Sequence, residues 1–433
     1  MRMSRLFVSL LVAGLMGSAG AQSLSPEEER IVKLVQANSG KALALLEKTV
    51  NINSGTMNHK GVREVGEVFR AEFDKLGFRT QWVDMPKAMQ RAGHLVATRE
   101  GKQGKRVLMI GHLDTVFEAS APMQKWERQG ERAVGQGVND MKGGDVIIIE
   151  ALRALHAAGA LDNTTISVIF TGDEENAGDP KEISRRDMVN LAKRSDVALA
   201  FEATVLDENG KATGTIGRRS STSWKLEVKG RQGHSSGIFN ATAGYGAVYE
   251  AARILDSFRQ QLQEPNLTYN PGLILGGTEV THDGSAAKGT AFGKSNVIAN
   301  CAIVKGDLRF LTPEQGEQAR SRMRSIVAQN LPGTSAEIRF EDGYPPMAPT
   351  EGNLKLLEMY SKASADAGLG PVAALPPGLR GAGDVQFVAP YVDSLDGLGA
   401  TGKGAHAPGE DLDVRSIEQG AIRTAVLLYR LTR

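Results

Sequence analysis

Short apolar runs with β character alternate with helical patterns through the first half of the chain, and this alternation restricts the fold more than any other feature. Arg106 to Ile110 is followed by a helical pattern from Gly144 to about Ala158, stopped by Gly159, and then by a second run from Thr165 to Phe170. Strands separated by helices are joined by crossovers, which implies a parallel α/β sheet. Ser25-Pro26-Glu27-Glu28 supplies an N-cap, a proline at the first helical position and a glutamate three residues after the cap. A helix is expected to open the folded part there.

From about Ile216 the pattern changes. It reads as a strand (Ser223 to Lys229), a helix (Ala243 to Leu262), two strands (Leu267 to Leu275 and Val297 to Phe310), a helix from Thr312-Pro313-Glu314 and a strand (Ala336 to Phe340). That order, β-α-β-β-α-β, is the ferredoxin-like unit. After Pro345-Pro346 the chain is read as Gly-rich loops and a closing helix from Arg415 that complete the first domain. The expected organisation is a catalytic domain in two parts, 22–215 and 346–433, with residues 216–345 inserted as a second domain.

Residues 1–21 read as an export leader: Arg2 and Arg5, an apolar stretch from Leu6 to Met16, and small residues at Ala19-Gly20-Ala21. The apolar stretch is well short of the roughly 20 residues a bilayer requires, so cleavage is expected, leaving no membrane anchor and a periplasmic or secreted protein. Lys+Arg total 51 against 50 Asp+Glu, a balance that favours neither a nucleic acid nor an anionic membrane as partner. Cys301 is the only cysteine, so no internal disulfide forms; it reads as a buried, inert thiol.

Three chemically suggestive segments fall just past the carboxyl end of an expected strand: Gly111-His112-Leu113-Asp114, Gly172-Asp173-Glu174-Glu175, and Glu202 after Val197 to Phe201. A fourth, Asp140 in Gly137-Val138-Asn139-Asp140-Met141-Lys142-Gly143-Gly144, lies before a helix N-terminus. The carboxyl ends of adjacent parallel strands line one crevice, where these groups can converge. Carboxylates gathered beside an imidazole repel one another unless cations join them, and mixed imidazole and carboxylate ligands suit zinc. Taken singly, a His-x-Asp is usually a surface pair and an acidic triplet a solvated turn; only the joint pattern points to metal.

That joint pattern resembles the co-catalytic zinc peptidase family that includes glutamate carboxypeptidase, aminoacylase and succinyl-diaminopimelate desuccinylase. The resemblance spans nearly the whole mature chain and rests on the segments above together with Phe201-Glu202, Gly230-Arg231-Gln232-Gly233-His234-Ser235, Asp307-Leu308-Arg309-Phe310 and Gly404-Ala405-His406. It implies a zinc-peptidase domain with a mixed, mainly parallel sheet and an inserted dimerisation, or lid, domain. It further implies two Zn2+ per subunit, with Co2+ or Mn2+ as substitutes. His112 and Glu202 would hold one ion, Glu175 and His406 the other, and Asp140 would bridge them, followed by a cis peptide to Met141. Asp114 would orient His112, and Glu174 would act as general base, moving a proton from the attacking water to the leaving amine.

By the same resemblance His234 would reach across a homodimer interface into the partner's site. Arg309 would hold a substrate carboxylate, Asn296 would be a polar contact, and Gly383-Asp384 would belong to a substrate loop. Read without the family, His234 is a loop histidine capped by Ser235 or Ser236, and Arg309 a partner of Asp307. His59, His94, His156 and His282 read as surface or helix residues, and Trp126 and Trp224 as packing residues. The stretch from Gly276 to Gly293 looks extended relative to the family and bears on the substrate pocket. The expected function is a glutamate carboxypeptidase-like metallocarboxypeptidase acting on a small peptide or N-acyl amino acid, with an N-acyl-amino-acid amidohydrolase or dipeptidase as runner-up. A periplasmic binding protein that lost catalysis is disfavoured, because Glu174 and all five ligand positions are present.

Overall fold

The computed structural model describes residues 24–284 and 287–433, so the expected leader lies outside the described residues. The chain opens with helix α1 (Pro26–Val50) and α2 (His59–Lys75), then strands β1 (Arg79–Val83), β2 (His94–Arg99) and β3 (Gln103–His112), α3 (Gly143–Ala157), β4 (Thr164–Thr171) and β5 (Val197–Ala200). Ser25 caps α1 as expected: its hydroxyl accepts from the Glu28 N–H, and the Glu28 carboxylate accepts from the Ser25 N–H at 2.7 Å. The other Glu28 oxygen lies 2.6 Å from Arg430 Nε, tying the first helix to the last.

The next segment holds β6 (Ser221–Gly230), α4 (Gly246–Gln261), β7 (Pro271–Gly277), the hairpin β8 (Glu279–Asp283) and β9 (Lys288–Phe292), β10 (Cys301–Leu308), α5 (Pro313–Val327) and β11 (Thr334–Tyr344). The chain ends with α6 (Glu351–Asp366), β12 (Asp393–Leu395) and α7 (Arg415–Leu431).

Among the described residues, six strands form the main sheet in the order β1-β2-β4-β3-β5-β12. The pairs β4–β3, β3–β5 and β5–β12 are parallel, and β1–β2 and β2–β4 antiparallel. The central strands are apolar on both faces. Val107 and Met109 of β3 point into the core built with α1, α3 and α7, while Leu108 and Ile110 point into a second core with Met188, Leu191 and Val388. A strand buried on both sides reads as a continuous hydrophobic run, which is why β3 and β4 were visible in the sequence. Arg106 and Asp196 stitch the starts of β3 and β5: the Arg106 N–H and Nε donate to Asp196 Oδ2 at 2.8 and 3.1 Å, and Nη2 to Oδ1 at 2.7 Å.

Residues 221–344 build a separate antiparallel sheet in the order β7-β10-β6-β11, the strand order of the expected β-α-β-β-α-β unit. It has its own core, in which Trp224, Phe258, Val304 and Met323 are buried and the Trp224 Nε1–H donates to the Asp307 carbonyl at 2.8 Å.

The extended Gly276–Gly293 stretch contains the β8–β9 hairpin, whose strands carry too few apolar side chains to announce themselves. Other readings need correcting. The segment after Pro346 includes α6, capped by Thr350, whose hydroxyl accepts from the Asn353 N–H at 3.1 Å. His94 is fully buried in β2, its Nε2 2.8 Å from the Ser184 carbonyl, and Cys301 is half-buried. No helix among the described residues is long and apolar enough to cross a membrane.

The Arg106 fork holds the Asp196 carboxyl down to about 2. A depressed carboxyl contributes stability that is present above its unfolded value and lost as pH falls through the folded one. Asp196→Asn is therefore expected to lower the urea midpoint near neutral pH, with the difference from the unsubstituted protein shrinking as pH falls toward about 2. The check is a series of urea unfolding curves at successive pH values; a difference that does not change with pH would contradict it.

Candidate metal centre

Five potential ligands meet at the carboxyl-terminal edge of the main sheet. His112 is the last residue of β3, Glu175 follows β4, Glu202 follows β5, Asp140 precedes α3 and His406 stands in the loop before α7. They form two groups, His112–Asp140–Glu202 and Asp140–Glu175–His406, each with ligand atoms within 4.8 Å of one another. Asp140 belongs to both. Its Oδ1 faces His112 Nε2 at 3.3 Å, and its Oδ2 faces His406 Nε2 at 3.2 Å. Glu202 approaches His112 Nε2 at 3.5 Å and Glu175 approaches His406 Nε2 at 3.1 Å. The His112 side chain is 2% exposed and that of His406 58%, so one group is enclosed and the other faces solvent.

Backbone donors hold this arrangement. Glu410 is fully buried; its Oε1 accepts from the N–H groups of Asn139 and Asp140 at 2.7 and 2.8 Å and its Oε2 from Gly137 at 3.0 Å, fixing the loop that carries Asp140. The peptide between Asp140 and Met141 is cis, as the resemblance implied. His112 Nδ1 lies 3.0 Å from the Asp114 backbone carbonyl and 3.6 Å from its carboxylate. Asp114 thus meets His112 chiefly through its main chain. The Asp114 carboxylate accepts instead from the N–H groups of Glu174 and Glu175 at 3.0 and 3.1 Å and from the Thr56 hydroxyl at 2.6 Å. On the other side of Glu174, the Tyr344 hydroxyl at the end of β11 donates to its carbonyl at 2.8 Å. The main chain of Glu174 is therefore pinned at both ends, one pin coming from the inserted unit.

The electrostatics follow from the crowding. Burial alone would lower the pKa of His112, but hydrogen bonds with Asp140 and Glu202 outweigh it and hold the imidazole well above its ordinary value. His406 is pushed up to about 11 by its hydrogen bonds to Asp140 and Glu175. Burial would raise Asp140, yet the two imidazoles hold it below the usual carboxylate range. Glu174 is raised well above its ordinary value by burial and by Glu202, and burial lifts Glu410 to about 7 against its three backbone donors. A cluster of this charge favours cations, and Glu175 Oε1 is buried with no hydrogen-bond partner, as a ligand atom awaiting a cation would be. The imidazole and carboxylate donors fit a pair of divalent ions.

The remaining expected residues lie elsewhere. His234 is exposed, with Nδ1 2.8 Å from the Ser236 hydroxyl, and the Asn296 carbonyl accepts from the adjoining Ser235 N–H at 3.0 Å. Arg309 Nε donates to Asp307 at 2.8 Å. Among the described residues, no hydrogen bond or ion pair joins these three to the metal-ligand groups. Asp384 is buried with both oxygens engaged, by Thr171 at 2.6 Å and by Arg185 Nε at 2.7 Å, so it braces the site from within rather than standing free for a substrate. Gly383 packs against the Arg218 guanidinium, 3.0 Å from where a Cβ would sit. Sequence reading missed Glu410, Thr56 and Tyr344. Glu410 stands four residues after His406, a proximity that was the one available signal.

A family model described as peptidase family M20/M25/M40 matches residues 108–430. The chain belongs to this family. Carboxypeptidase G2 of Pseudomonas sp. (strain RS-16) is 26% identical over 97% of this chain and 97% of its own length. Among solved structures, aminopeptidase PepT from Bacillus cereus superposes with a TM-score of 0.73 at 16% identity, covering 92% of this chain and 99% of that one. The YXEP protein of Bacillus subtilis, described as a dinuclear metal binding peptidase of family M20, superposes with a TM-score of 0.63 at 16% identity, covering 92% and 99%. Membership of the M20 family makes this chain a metal-dependent peptidase or amidohydrolase.

Groups behind metal ligands commonly set affinity over roughly 10- to 100-fold. Glu410→Gln places an amide against three N–H donors and is expected to weaken metal binding by roughly that factor while leaving the fold intact. Metal titration against a competing chelator reads it; unchanged affinity would show that the Asp140 loop holds its shape unaided.

Proposed function

We propose that the protein is an exported di-zinc carboxypeptidase that releases a C-terminal amino acid from a peptide or N-acyl amino acid. The observation carrying this reading is one carboxylate, Asp140, shared between two three-ligand groups, with Glu174 held beside them by its main chain. When bound, two cations would polarise the scissile carbonyl and lower the pKa of water between them. Glu174 then serves as general base and acid: its carboxylate takes a proton from the attacking water as the new C–O bond forms, and returns it to the amine nitrogen as the C–N bond breaks. Glu174 belongs to neither three-ligand group, which leaves its carboxylate for the proton. Zinc is favoured by the donor set of imidazole and carboxylate.

The carboxypeptidase assignment is supported by full-length similarity to carboxypeptidase G2 and by glutamate, rather than aspartate, at position 202. Export is supported by the leader-like residues 1–21. A homodimer through the inserted unit is supported by exposed Val248, Tyr249 and Ile274 on α4 and the edge strand β7, which would place His234 beside a partner subunit.

Removing metal with a chelator is expected to abolish hydrolysis, and Zn2+ or Co2+ to restore it; full activity without metal would sink the mechanism. Glu174→Ala is expected to keep its metals while kcat falls by roughly 10²- to 10⁴-fold. Loss of metal in that variant would mean that Glu174 is a ligand rather than the base. Cleavage of N-blocked, C-free dipeptides, and not of N-free, C-amidated ones, would separate the carboxypeptidase reading from an aminopeptidase.

A further inference from the structure

A substrate that ends in a free carboxylate needs a cation near the metal groups, and the expected one, Arg309, is already paired with Asp307. Arg380 is not so committed. Its Nη1 donates to the carbonyl of Ala203, the residue after Glu202, at 2.9 Å, while Nε and Nη2 are buried without a hydrogen-bond partner. Nε–H and the neighbouring Nη2–H are the two parallel donors along one edge of a guanidinium, the edge that grips a carboxylate bidentately. Leaving that edge buried and unpaired is costly, whereas an arriving anion would complete it.

The segment bearing Arg380 is held from two sides. Arg218, itself paired to Asp396 through Nε at 2.6 Å, donates from Nη1 to the carbonyls of Gly381 and Ala382 at 2.8 and 2.9 Å. Asp384 anchors the other side to Thr171 and Arg185. The fork is therefore preorganised; burial and the neighbouring Arg218 guanidinium lower its pKa, with Asp396, Glu202 and Asp140 opposing that shift.

We infer that Arg380 receives the α-carboxylate of the amino acid to be released, through its Nε–Nη2 edge, and so determines selectivity for substrates with a free C-terminus. This inference rests on the carboxypeptidase reading above. Its chemistry requires only an anion opposite the fork and assigns no bond-making role to Arg380.

The metal-loaded enzyme is assayed with an N-acyl amino acid and with its C-terminal amide. Arg380→Met is expected to lower kcat/KM for the acid by roughly 100-fold, mostly through KM, with the amide changed by no more than a few-fold and metal content retained. Arg380→Lys, which keeps the charge and the site's charge balance but lacks the fork, is expected to fall between the two. Calorimetric binding of N-benzoyl-D-glutamate and its α-amide, neither of which needs to be cut, provides a second readout: Arg380→Met should erase the preference for the acid. An acid-to-amide preference that survives in both Arg380 variants with metal retained, and disappears in Arg309→Met, overturns the assignment while leaving the carboxypeptidase reading intact. Failure of the unsubstituted enzyme to cleave any C-free substrate defeats that reading instead, and the calorimetric pair then still decides whether Arg380 binds a carboxylate.

Discussion

Repulsion among carboxylates gathered in one crevice is the constraint around which this molecule is built. Asp140, Glu174, Glu175 and Glu202 meet at the carboxyl edge of the sheet, where burial deepens the cost of each charge. Two imidazoles answer it directly by flanking Asp140, one against each oxygen. Backbone N–H groups answer it a layer further out, through Glu410 and Asp114, whose carboxylates each gather donors from the loops that carry the ligands. Beyond the two imidazoles, a pair of divalent ions would supply the further compensating charge.

The rest of the fold serves this edge. Apolar residues on both faces bury β5 and the carboxyl-terminal halves of β3 and β4, so their ends are fixed points from which short loops can project ligands. A second layer of buried ion pairs, Arg185 with Asp173 and Asp384, and Arg218 with Asp396, connects the loops beneath the crevice. The inserted unit touches the chemistry through Tyr344, whose hydroxyl accepts from Arg185 Nη2 at 3.2 Å and donates to the Glu174 carbonyl. One hydrogen bond thus ties the end of β11 to the main chain of the proposed base.

Much of this was legible in the sequence, for physical reasons. Buried parallel strands announce themselves as apolar runs, the Ser25 capping box marks a helix start, and His112, Asp140, Glu175 and Glu202 stand out only as a joint pattern around those runs, the full ligand set with His406 coming from the family resemblance. What escaped notice had no comparable signature. The β8–β9 hairpin buries too little to show a hydrophobic alternation, and α6 was hidden by the prolines and glycines around it. Asp384 and Asp114 were identified as important, but sequence position could not reveal which way a carboxylate turns: Asp384 faces inward to Arg185, and Asp114 binds backbone while its carbonyl, not its side chain, lies closest to His112. Glu410 and Arg380 act through partners far along the chain, which no local pattern encodes.

Sharing Asp140 between the two groups makes their metal binding interdependent, and metal stoichiometry measured by mass spectrometry on substituted proteins tests this directly. The unsubstituted protein should hold about two ions per chain, Glu202→Ala and Glu175→Ala should each retain about one, and Asp140→Ala should lose both. An Asp140→Ala protein that keeps one ion at full occupancy would contradict a bridging role for that carboxylate and, with it, the two-ion centre.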